Sequence, residues 1–341
     1  MTVTLDRYRP STLGNEHGKL VAILAADAVS MMTPHWILGP GAIGRLLAHS
    51  LSPIGDVTLV GRRALAEPQW LTTPEGERRP QRLNALTVDQ MASAALPAPG
   101  FVHITTKAMA AEAALESISQ VIPSTTPLVL WQNGFLAQPR ITQAWPGPVL
   151  NATTTQGAYL SGDAEVVHAG RGHTFIGDLH NRHPALAKTL VQTLAQAGFD
   201  ATAVDDIRQR LWQKLAVNAA INPLVALHGV HNGELRGAEY SGRVASVITE
   251  VAMILQAEGI QPPNAGQGDA AWRALVWQVV DNTAGNKASM LQDVEAHRPT
   301  ERGAILGPLI ESAKHHRLPC EVLQALDSEL AALEASYLSP H

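Results

Sequence analysis

The first two hundred residues of this chain alternate between short apolar runs and longer segments of mixed polarity. Five apolar runs are predicted to be strands: residues 35–39, 56–60, 101–106, 127–133 and 148–155. The first connection places apolar residues at helical spacing: Ile43, Leu46, Leu47 and Leu51. Strand, crossover and strand in succession are typical of a parallel, doubly wound sheet. The pattern therefore predicts an α/β domain.

The alternation in residues 164–178 predicts a β-hairpin, with AEVVHAG and HTFIGD on either side of the turn Arg171-Gly172. A helix near residues 184–197 and a last strand at residues 200–204 follow. We therefore assign residues 34–204 to the α/β domain.

Beyond about residue 205 the strand signals stop, and apolar residues recur at helical spacing. One helical face carries Val244, Val247, Ile248, Val251, Ile254 and Leu255, and Gly259 closes that segment. The last stretch repeats the pattern with Leu323, Leu326, Leu330, Leu333 and Tyr337. Residues 205–338 are therefore predicted to form an all-helical domain.

Residues 1–33 carry no clear pattern. They are either a flexible extension or the consequence of a start placed too far upstream. Residues 20–32 resemble the apolar core of a signal peptide, but Asp27 interrupts them and a stretch of mixed charge precedes them. Both features argue against secretion.

Three polar residues interrupt the apolar helix predicted for residues 211–227. Lys214, Asn218 and Asn222 are spaced four apart and line up along one stripe. Such a stripe is unremarkable if it faces water. Its neighbours are apolar, however, which suggests a largely buried helix, and a buried carboxamide without a partner costs about 1–3 kcal/mol. Pro223 is expected to bend or end the helix just beyond Asn222.

A polar ligand would satisfy all three side chains. If a 2-oxo acid lies over a nicotinamide, a lysine ammonium can stabilise and then protonate the developing alkoxide. Asparagines can bind carboxylate or hydroxyl groups without adding charge that would compete with the lysine.

The segment GPGAIG follows the first strand and opens a helix, with Gly39, Gly41 and Gly44 in the G-x-G-x-x-G spacing. The first glycine permits a tight turn, the second lets the backbone approach a pyrophosphate, and the third lets helix and strand pack closely. The helix N-terminus offers free N–H groups to the anion. The alternative is a glycine-rich turn without a ligand.

The second strand ends in Gly61-Arg62-Arg63, where the acidic residue that binds a ribose 2′-hydroxyl is usual. Arg62 can instead pair with a 2′-phosphate through charge-assisted hydrogen bonds. We therefore expect NADP(H) in preference to NAD(H). The alternative is a pair of solvated loop arginines.

Composition limits the other classes of function. Of 341 residues, 45% are hydrophobic but only 4% are aromatic, so Ala, Leu, Val and Ile must fill the core. The net charge is -5 and acidic and basic residues are interspersed, so the sequence predicts no basic surface for nucleic acid. No apolar run approaches the ~18 residues of a membrane span. The single cysteine, Cys320, fits a reducing cytoplasm. The 14 histidines are scattered, so no metal site is predicted.

These motifs resemble those of the ketopantoate reductases, also called 2-dehydropantoate 2-reductases, from residue 34 to the end of the chain. The matching segments are GPGAIG, TTKA with Lys107, QNG with Asn133, NATTTQGA, LWQKLAVNAAINPLVAL, HNGEL with Asn232, and NKASMLQDVEAHRPTE with Ser289 and Glu301. The resemblance implies a Rossmann-type doubly wound parallel sheet followed by an all-helical C-terminal domain, as in 6-phosphogluconate dehydrogenase. The sequence departs from the family pattern in its N-terminal extension and in Gln156, where a histidine is often found.

The resemblance implies reduction of 2-dehydropantoate to (R)-pantoate by NADPH, a step toward pantothenate and coenzyme A. It makes Lys214 the proton donor, and Glu301 either a contact of the nicotinamide ribose or a support for Lys214. The residues implied to contact substrate are Asn133, Lys214, Asn218, Asn222, Asn232 and Ser289. Those expected beside the cofactor are Gly39, Pro40, Gly41, Ala42, Ile43, Gly44, Arg62, Lys107, Asn133, Glu301 and the backbone near Ala158.

Alternatives stay open from the sequence. The same fold could reduce another branched 2-oxo acid, although Ser289 favours a pantoate-like ligand with a hydroxyl group. A redox sensor could bind NADP(H) without catalysis, although such a protein needs neither Lys214 nor Glu301. The expected partner is a small-molecule 2-oxo acid, with no nucleic acid or membrane, and the chain is expected to be a monomer or homodimer. Asn133 and Asn232 each precede a glycine, which is also a common turn pair.

Overall fold

The computed structural model describes residues 33–263, 266 and 268–338. The N-terminal extension and its signal-peptide-like stretch lie outside the described residues, apart from Thr33. The strands are β1 His35–Leu38, β2 Val57–Gly61, β3 Gln69–Thr72, β4 Arg78–Gln81, β5 Asn84–Thr87, β6 Phe101–Ile104, β7 Leu128–Leu130, β8 Val149–Thr154, β9 Gly157–Leu160, β10 Glu165–Gly170, β11 His173–Gly177 and β12 Asp200–Ala203.

The helices are α1 Ala42–Leu51, α2 Val88–Met91, α3 Ala111–Glu116, α4 Ala137–Ala144, α5 Pro184–Gln196, α6 Ile207–His228, α7 Ala238–Ala257, α8 Gly268–Asn282, α9 Ser289–Glu295, α10 Arg302–His316 and α11 Glu321–Leu338. Two short 3-10 helices cover Ala108–Ala110 and Asn232–Arg236.

Eight strands form the main sheet in the order β12-β11-β8-β7-β6-β1-β2-β5. The six strands from β8 to β5 are parallel, whereas β11 runs antiparallel to β8 and pairs with β12 on its outer side. The central strands are continuous apolar runs because both sheet faces are covered. Ile37 belongs to the hydrophobic cluster on one face and Leu38 to that on the other. The predicted doubly wound parallel sheet is confirmed, with an antiparallel edge added.

A second sheet of four strands, in the order β4-β3-β10-β9, lies beside α1. The predicted hairpin is wrong: β10 pairs with β9 and β3, whereas β11 pairs with β8 and β12 in the main sheet. The Gln156 carboxamide holds the crossing between the sheets, since it accepts from the Gly172 N–H at 3.0 Å and donates to the Gly172 carbonyl at 2.7 Å. Alternation identified both strands, but it carries no information about which strand each one pairs with.

The described residues after β12 contain helices and no strand, which confirms the predicted helical domain. Helix α6 lies at its centre and packs against α7, α8, α9, α10 and α11. Pro223 was expected to bend or end this helix; it does not end it, because α6 continues to His228 and stops at Gly229, whose φ is 65°. Burial on several sides outweighs the roughly 3 kcal/mol that an internal proline costs.

The two domains meet where the loop after β7 contacts the start of α10. Phe135 donates its backbone N–H to the Ala304 carbonyl at 3.2 Å. Gly134, with φ of 82°, brings the backbones so close that a Cβ at this position would collide with that same carbonyl. Within the described residues, no helix is both long and apolar enough to cross a membrane.

Candidate active site

The carboxyl ends of β1, β6, β7 and β8 lie at one edge of the main sheet, on the side that faces the helical domain. The strand order reverses between β1 and β6, because β2 lies on the outer side of β1. In open α/β sheets a ligand binds in the crevice at such a reversal, beyond the carboxyl ends of the strands.

The glycine loop has the shape that a dinucleotide site requires. Gly39 has φ of 107°, and a Cβ there would be 2.7 Å from the Thr106 nitrogen. A Cβ at Gly44 would collide with the Gly39 carbonyl oxygen, whereas a Cβ at Gly41 would meet nothing within 4 Å. The first and third glycines are thus used by the protein's own packing, and the second leaves open space for a pyrophosphate.

The remaining loop residues, Pro40, Ala42 and Ile43, connect these glycines at the start of α1. No side chain caps this helix end, so its first N–H groups are available to an anion. Thr105 fixes the loop from β6, since its hydroxyl donates to the carbonyls of Leu38 at 2.9 Å and Gly39 at 2.7 Å.

Two arginines follow β2 and behave differently. Arg63 pairs with Asp163 at 3.1 Å. Arg62 is exposed and forms no ion pair or hydrogen bond within the part of the chain that the structure describes. The site therefore leaves one guanidinium beside the glycine loop available to a ligand.

Lys214 projects from α6 toward the end of β8, where its ammonium donates to the Thr154 carbonyl at 2.7 Å. Burial lowers the pKa of Lys214 to about 8, while the charge of nearby Glu301 raises it. Each ammonium has three N–H groups, so the bond to Thr154 leaves two of them for a ligand.

Glu301 joins the ends of β6 and β7 to the helical domain. It is 8% exposed and lies just before α10. Its Oε1 accepts from the Ala108 N–H at 3.2 Å, and its Oε2 accepts from the Asn133 carboxamide at 3.3 Å. Lys214, Glu301 and Asn133 therefore form one cluster between the two domains.

Asn218 and Asn222 continue the row on α6. Asn222 is 8% exposed and Asn218 is partly buried, yet neither side chain has a hydrogen-bond partner within the described ranges. Their amide groups are therefore available to a ligand, and the row remains the strongest sign that a polar ligand binds here.

Other predicted residues lie apart from this cluster. The Lys107 ammonium pairs with Asp293 on α9 and lies 3.4 Å from the Pro299 carbonyl, so it bridges the two domains. Asn232 donates to the Thr283 hydroxyl at 2.9 Å, and its buried Oδ1 has no partner.

Ser289 is exposed in the first turn of α9, and no hydrogen bond joins it or Asn232 to Lys214. Ala158 pairs with His168 in the second sheet and packs beside the cluster that includes α1. The roles of these residues stay predictions.

The sequence interpretation missed several residues that shape the site. Thr154 contributes only a carbonyl, which no side-chain motif reveals. Asp293 stands in the SMLQDVE segment and pairs with Arg298 at 3.2 Å, but the sequence gives no sign of its second ion pair, with Lys107. Gln132 donates to the Ile104 carbonyl at 2.7 Å and the Thr106 carbonyl at 3.1 Å, so it holds together the loops that carry Lys107 and Asn133. Its place directly before Asn133 was the one available signal.

No group of three or more metal-binding side chains is arranged to hold an ion within the described ranges.

Most of the chain resembles proteins of one family. Residues 36–181 match the family model "Ketopantoate reductase PanE/ApbA", and residues 206–334 match "Ketopantoate reductase PanE/ApbA C terminal". A 2-dehydropantoate 2-reductase of Vibrio cholerae is 35% identical over 303 residues, which are 88% of this chain and 98% of that protein. The chain belongs to the ketopantoate reductase family. This confirms the resemblance that the sequence motifs indicated.

Solved structures agree with this fold of the ketopantoate reductases. A 2-dehydropantoate 2-reductase from Methylococcus capsulatus superposes with a TM-score of 0.77 at 23% identity, covering 90% of this chain and 98% of that one. A D-mandelate dehydrogenase in complex with NADH and anilino(oxo)acetate superposes with a TM-score of 0.81 at 24% identity. The match covers 90% of this chain and 100% of that one. At these identities the likeness shows the fold alone.

Proposed function

We propose that this protein reduces 2-dehydropantoate to (R)-pantoate with NADPH. The observation that carries the proposal is the Lys214 ammonium, partly buried between the domains near Glu301 and followed on α6 by two carboxamides without partners among the described residues. The family match and the named Vibrio cholerae relative support the substrate.

The residues at the sheet edge fit a nicotinamide dinucleotide. The glycine loop would hold the pyrophosphate, Arg62 the 2′-phosphate, and Asn133, Glu301 and Lys107 would lie toward the nicotinamide half. When bound, the reduced nicotinamide supplies a hydride for C2 of the 2-oxo acid.

Lys214 then has two tasks at the substrate oxygen. Its positive charge stabilises the alkoxide that forms as C2 is reduced, and its N–H bond breaks to give the oxygen a proton. The resulting neutral amine regains a proton from solvent. Glu301 keeps Lys214 protonated and orients Asn133. Asn218 and Asn222 hold the carboxylate and hydroxyl groups of the acid.

The activity is tested by mixing the purified protein with NADPH and a panel of 2-oxo acids, and following the loss of NADPH absorbance. We expect 2-dehydropantoate to give the highest kcat/KM. A higher kcat/KM with another branched 2-oxo acid would reassign the substrate. Binding of NADPH without turnover of any acid would leave a redox sensor and contradict the proposal.

The cofactor preference is tested separately by calorimetric titration of NADPH and NADH. Loss of a charge-assisted hydrogen bond costs about 1.5–3 kcal/mol, so Arg62→Ala should weaken NADPH binding by roughly tenfold or more and leave NADH binding unchanged. Arg79→Ala, which removes an exposed arginine on β4, is the matched control. Equal affinities of the wild type for the two cofactors would contradict the preference.

We also infer that the enzyme acts in the cytoplasm as a monomer or homodimer. Support comes from its single cysteine, which is buried and free. A structural relative with a TM-score of 0.72 at 23% identity is described as a dimeric ketopantoate reductase from Staphylococcus aureus. Sedimentation at several protein concentrations measures the oligomeric state, and a larger assembly would contradict it.

A further inference from the structure

Arg45 follows the third glycine of the glycine loop directly, and it is one of the most buried charged residues of the fold, at 3% exposure. Its Nε donates to the Pro40 carbonyl at 2.9 Å, inside the loop itself. Its Nη1 donates to the Gln69 side chain at 2.8 Å and to the Asp163 carbonyl at 2.5 Å. All three acceptors are uncharged oxygens.

The charge of Arg45 is therefore not neutralised by an ion pair within the described residues. The Asp163 carboxylate, whose charge acts on Arg45, pairs with Arg63 and is mostly exposed. Burial lowers the pKa of Arg45, Asp163 raises it, and Arg63 lowers it further. A guanidinium stays protonated in proteins, so the fold keeps a buried cation next to a second arginine.

Two partly buried arginines of the helical domain do have acidic partners. Arg208 pairs with the Glu258 carboxylate, and Arg302 pairs with both Asp327 and Glu334. Burying a charge is costly unless an opposite charge accompanies it. The contrast indicates that the opposite charge for Arg45 comes from outside the chain.

The contacts of Arg45 also connect two loops of the candidate site. Through Pro40 it fixes the carbonyl between the first two glycines. Through Gln69, whose carboxamide donates to the Ala66 carbonyl at 2.5 Å, it reaches the segment that follows Arg62. One side chain thus links the pyrophosphate loop to the loop that carries the expected 2′-phosphate contact.

We propose that Arg45 is a positioning residue for the phosphates of the dinucleotide: it fixes the glycine loop and the Arg62 loop, and its buried positive charge is offset by the bound phosphates. This inference rests on the dinucleotide site of the proposed function. It predicts that Arg45 matters for NADPH and NADH alike, because both carry the pyrophosphate, whereas Arg62 matters for NADPH alone.

The test compares Arg45→Gln, Arg45→Lys and the control Arg208→Gln in calorimetric titrations with NADPH and NADH at several salt concentrations. A charge-assisted contact is equivalent to roughly a tenfold change in Kd or more, so Arg45→Gln should raise the Kd of both dinucleotides about tenfold. Arg45→Lys should retain part of the affinity, because it keeps the charge but loses the planar fork. The control should lose thermal stability and keep wild-type Kd values.

Salt separates the electrostatic role from a merely structural one. Because screening weakens charge–charge attraction, the Kd of the wild type and of Arg45→Lys should rise more steeply with salt than that of Arg45→Gln. Wild-type Kd values for both nucleotides in Arg45→Gln, or a salt dependence identical to that of the wild type, would overturn the inference. If Arg45→Gln does not fold, unchanged Kd values in Arg45→Lys would overturn it. A wild type that binds neither nucleotide would instead overturn the proposed function, and this inference with it.

Discussion

Helix α6 carries two sets of polar side chains that look alike in sequence and differ in the fold. The paired set, Arg208, Gln209 and Gln213, lies in its first two turns. Arg208 pairs with Glu258 and donates to the Glu258 carbonyl at 3.1 Å, and Gln213 donates to the Gln261 carbonyl at 2.9 Å. Gln209 also bonds the backbone of Gln261, whose N–H it accepts at 3.2 Å.

The open row, Lys214, Asn218 and Asn222, follows on the same helix. It has one hydrogen bond in total within the described residues, from Lys214 to the Thr154 carbonyl. The paired set faces the end of α7 inside the helical domain, whereas the open row begins where α6 meets β8. Gln209 and Gln213 are four residues apart, as are the members of the open row, so spacing does not distinguish a structural carboxamide from a ligand-binding one. The two kinds differ in whether the side chain has a hydrogen-bond partner in the fold.

The largest effect on turnover is expected from Lys214→Met in the open row. Loss of the proton donor should lower kcat by about 100-fold or more. The free energy of unfolding should fall modestly, because the change removes a poorly solvated ammonium but leaves the Glu301 carboxylate without its neighbouring cation and the Thr154 carbonyl without its donor. Steady-state kinetics with NADPH and 2-dehydropantoate, together with urea denaturation, measures both. Near-normal turnover would end the proposed role of this lysine.

The next largest effect on turnover is expected from raising the pH. The proposed donor must be protonated, and the pKa of Lys214 is about 8. Turnover should therefore be constant below this pH and fall about tenfold per unit above it, as the ammonium loses its proton. The profile of Asn222→Ala, which keeps the lysine, should bend at nearly the same pH. A flat kcat profile across this range would contradict the assignment.

A smaller effect is expected from Asn222→Ala. Because this carboxamide has no partner among the residues that the structure describes, its removal should leave the free energy of unfolding nearly unchanged. A lost hydrogen bond to substrate is worth about 0.5–1.5 kcal/mol, and more if the substrate atom is charged, so KM for the 2-oxo acid should rise by roughly tenfold. Gln213→Ala from the paired set is the control and should leave KM unaltered. An unchanged KM in Asn222→Ala would move this residue out of the substrate site.

The smallest effect on turnover is expected from Arg208→Gln in the paired set. This change breaks a partly buried ion pair and should lower the free energy of unfolding by about 2 kcal/mol, while kcat and KM stay within about twofold of the wild type. Urea denaturation and steady-state kinetics give the two readouts. A loss of turnover at unchanged stability would show that the paired set also contributes to catalysis, and would contradict the division of α6 into a structural and a ligand-binding set.

Much of the fold was predictable because its signals are local. The apolar runs identified five strands of the main sheet, and helical periodicity identified the second domain. The strands of the second sheet were harder to see. Residues 78–81 read Arg-Arg-Pro-Gln and are mostly exposed, so β4 offers no apolar alternation to detect. Pro223 misled for the opposite reason, since tertiary packing preserved a helix that local chemistry disfavours.

The candidate site was predictable in its residue types more than in its contacts. Lys214, Asn133 and Glu301 do come together as expected. Lys107 was expected beside the cofactor, and the structure shows it paired with Asp293 across the domain boundary. Arg45 was seen only as part of a helix, because its burial and its neutral partners appear only when α1 packs against the second sheet.

The sequence by itself determined the glycine loop, the apolar strands of the main sheet, the helical character of the second domain and the polar row on α6, because each depends on residues that are adjacent or one helical turn apart. Only the tertiary structure decided which polar groups are paired. Ala108 and Glu301 are 193 residues apart, and Lys214 and the Thr154 carbonyl are 60 apart. A hydrogen bond depends on distance in space, which spacing along the chain does not specify beyond a few residues.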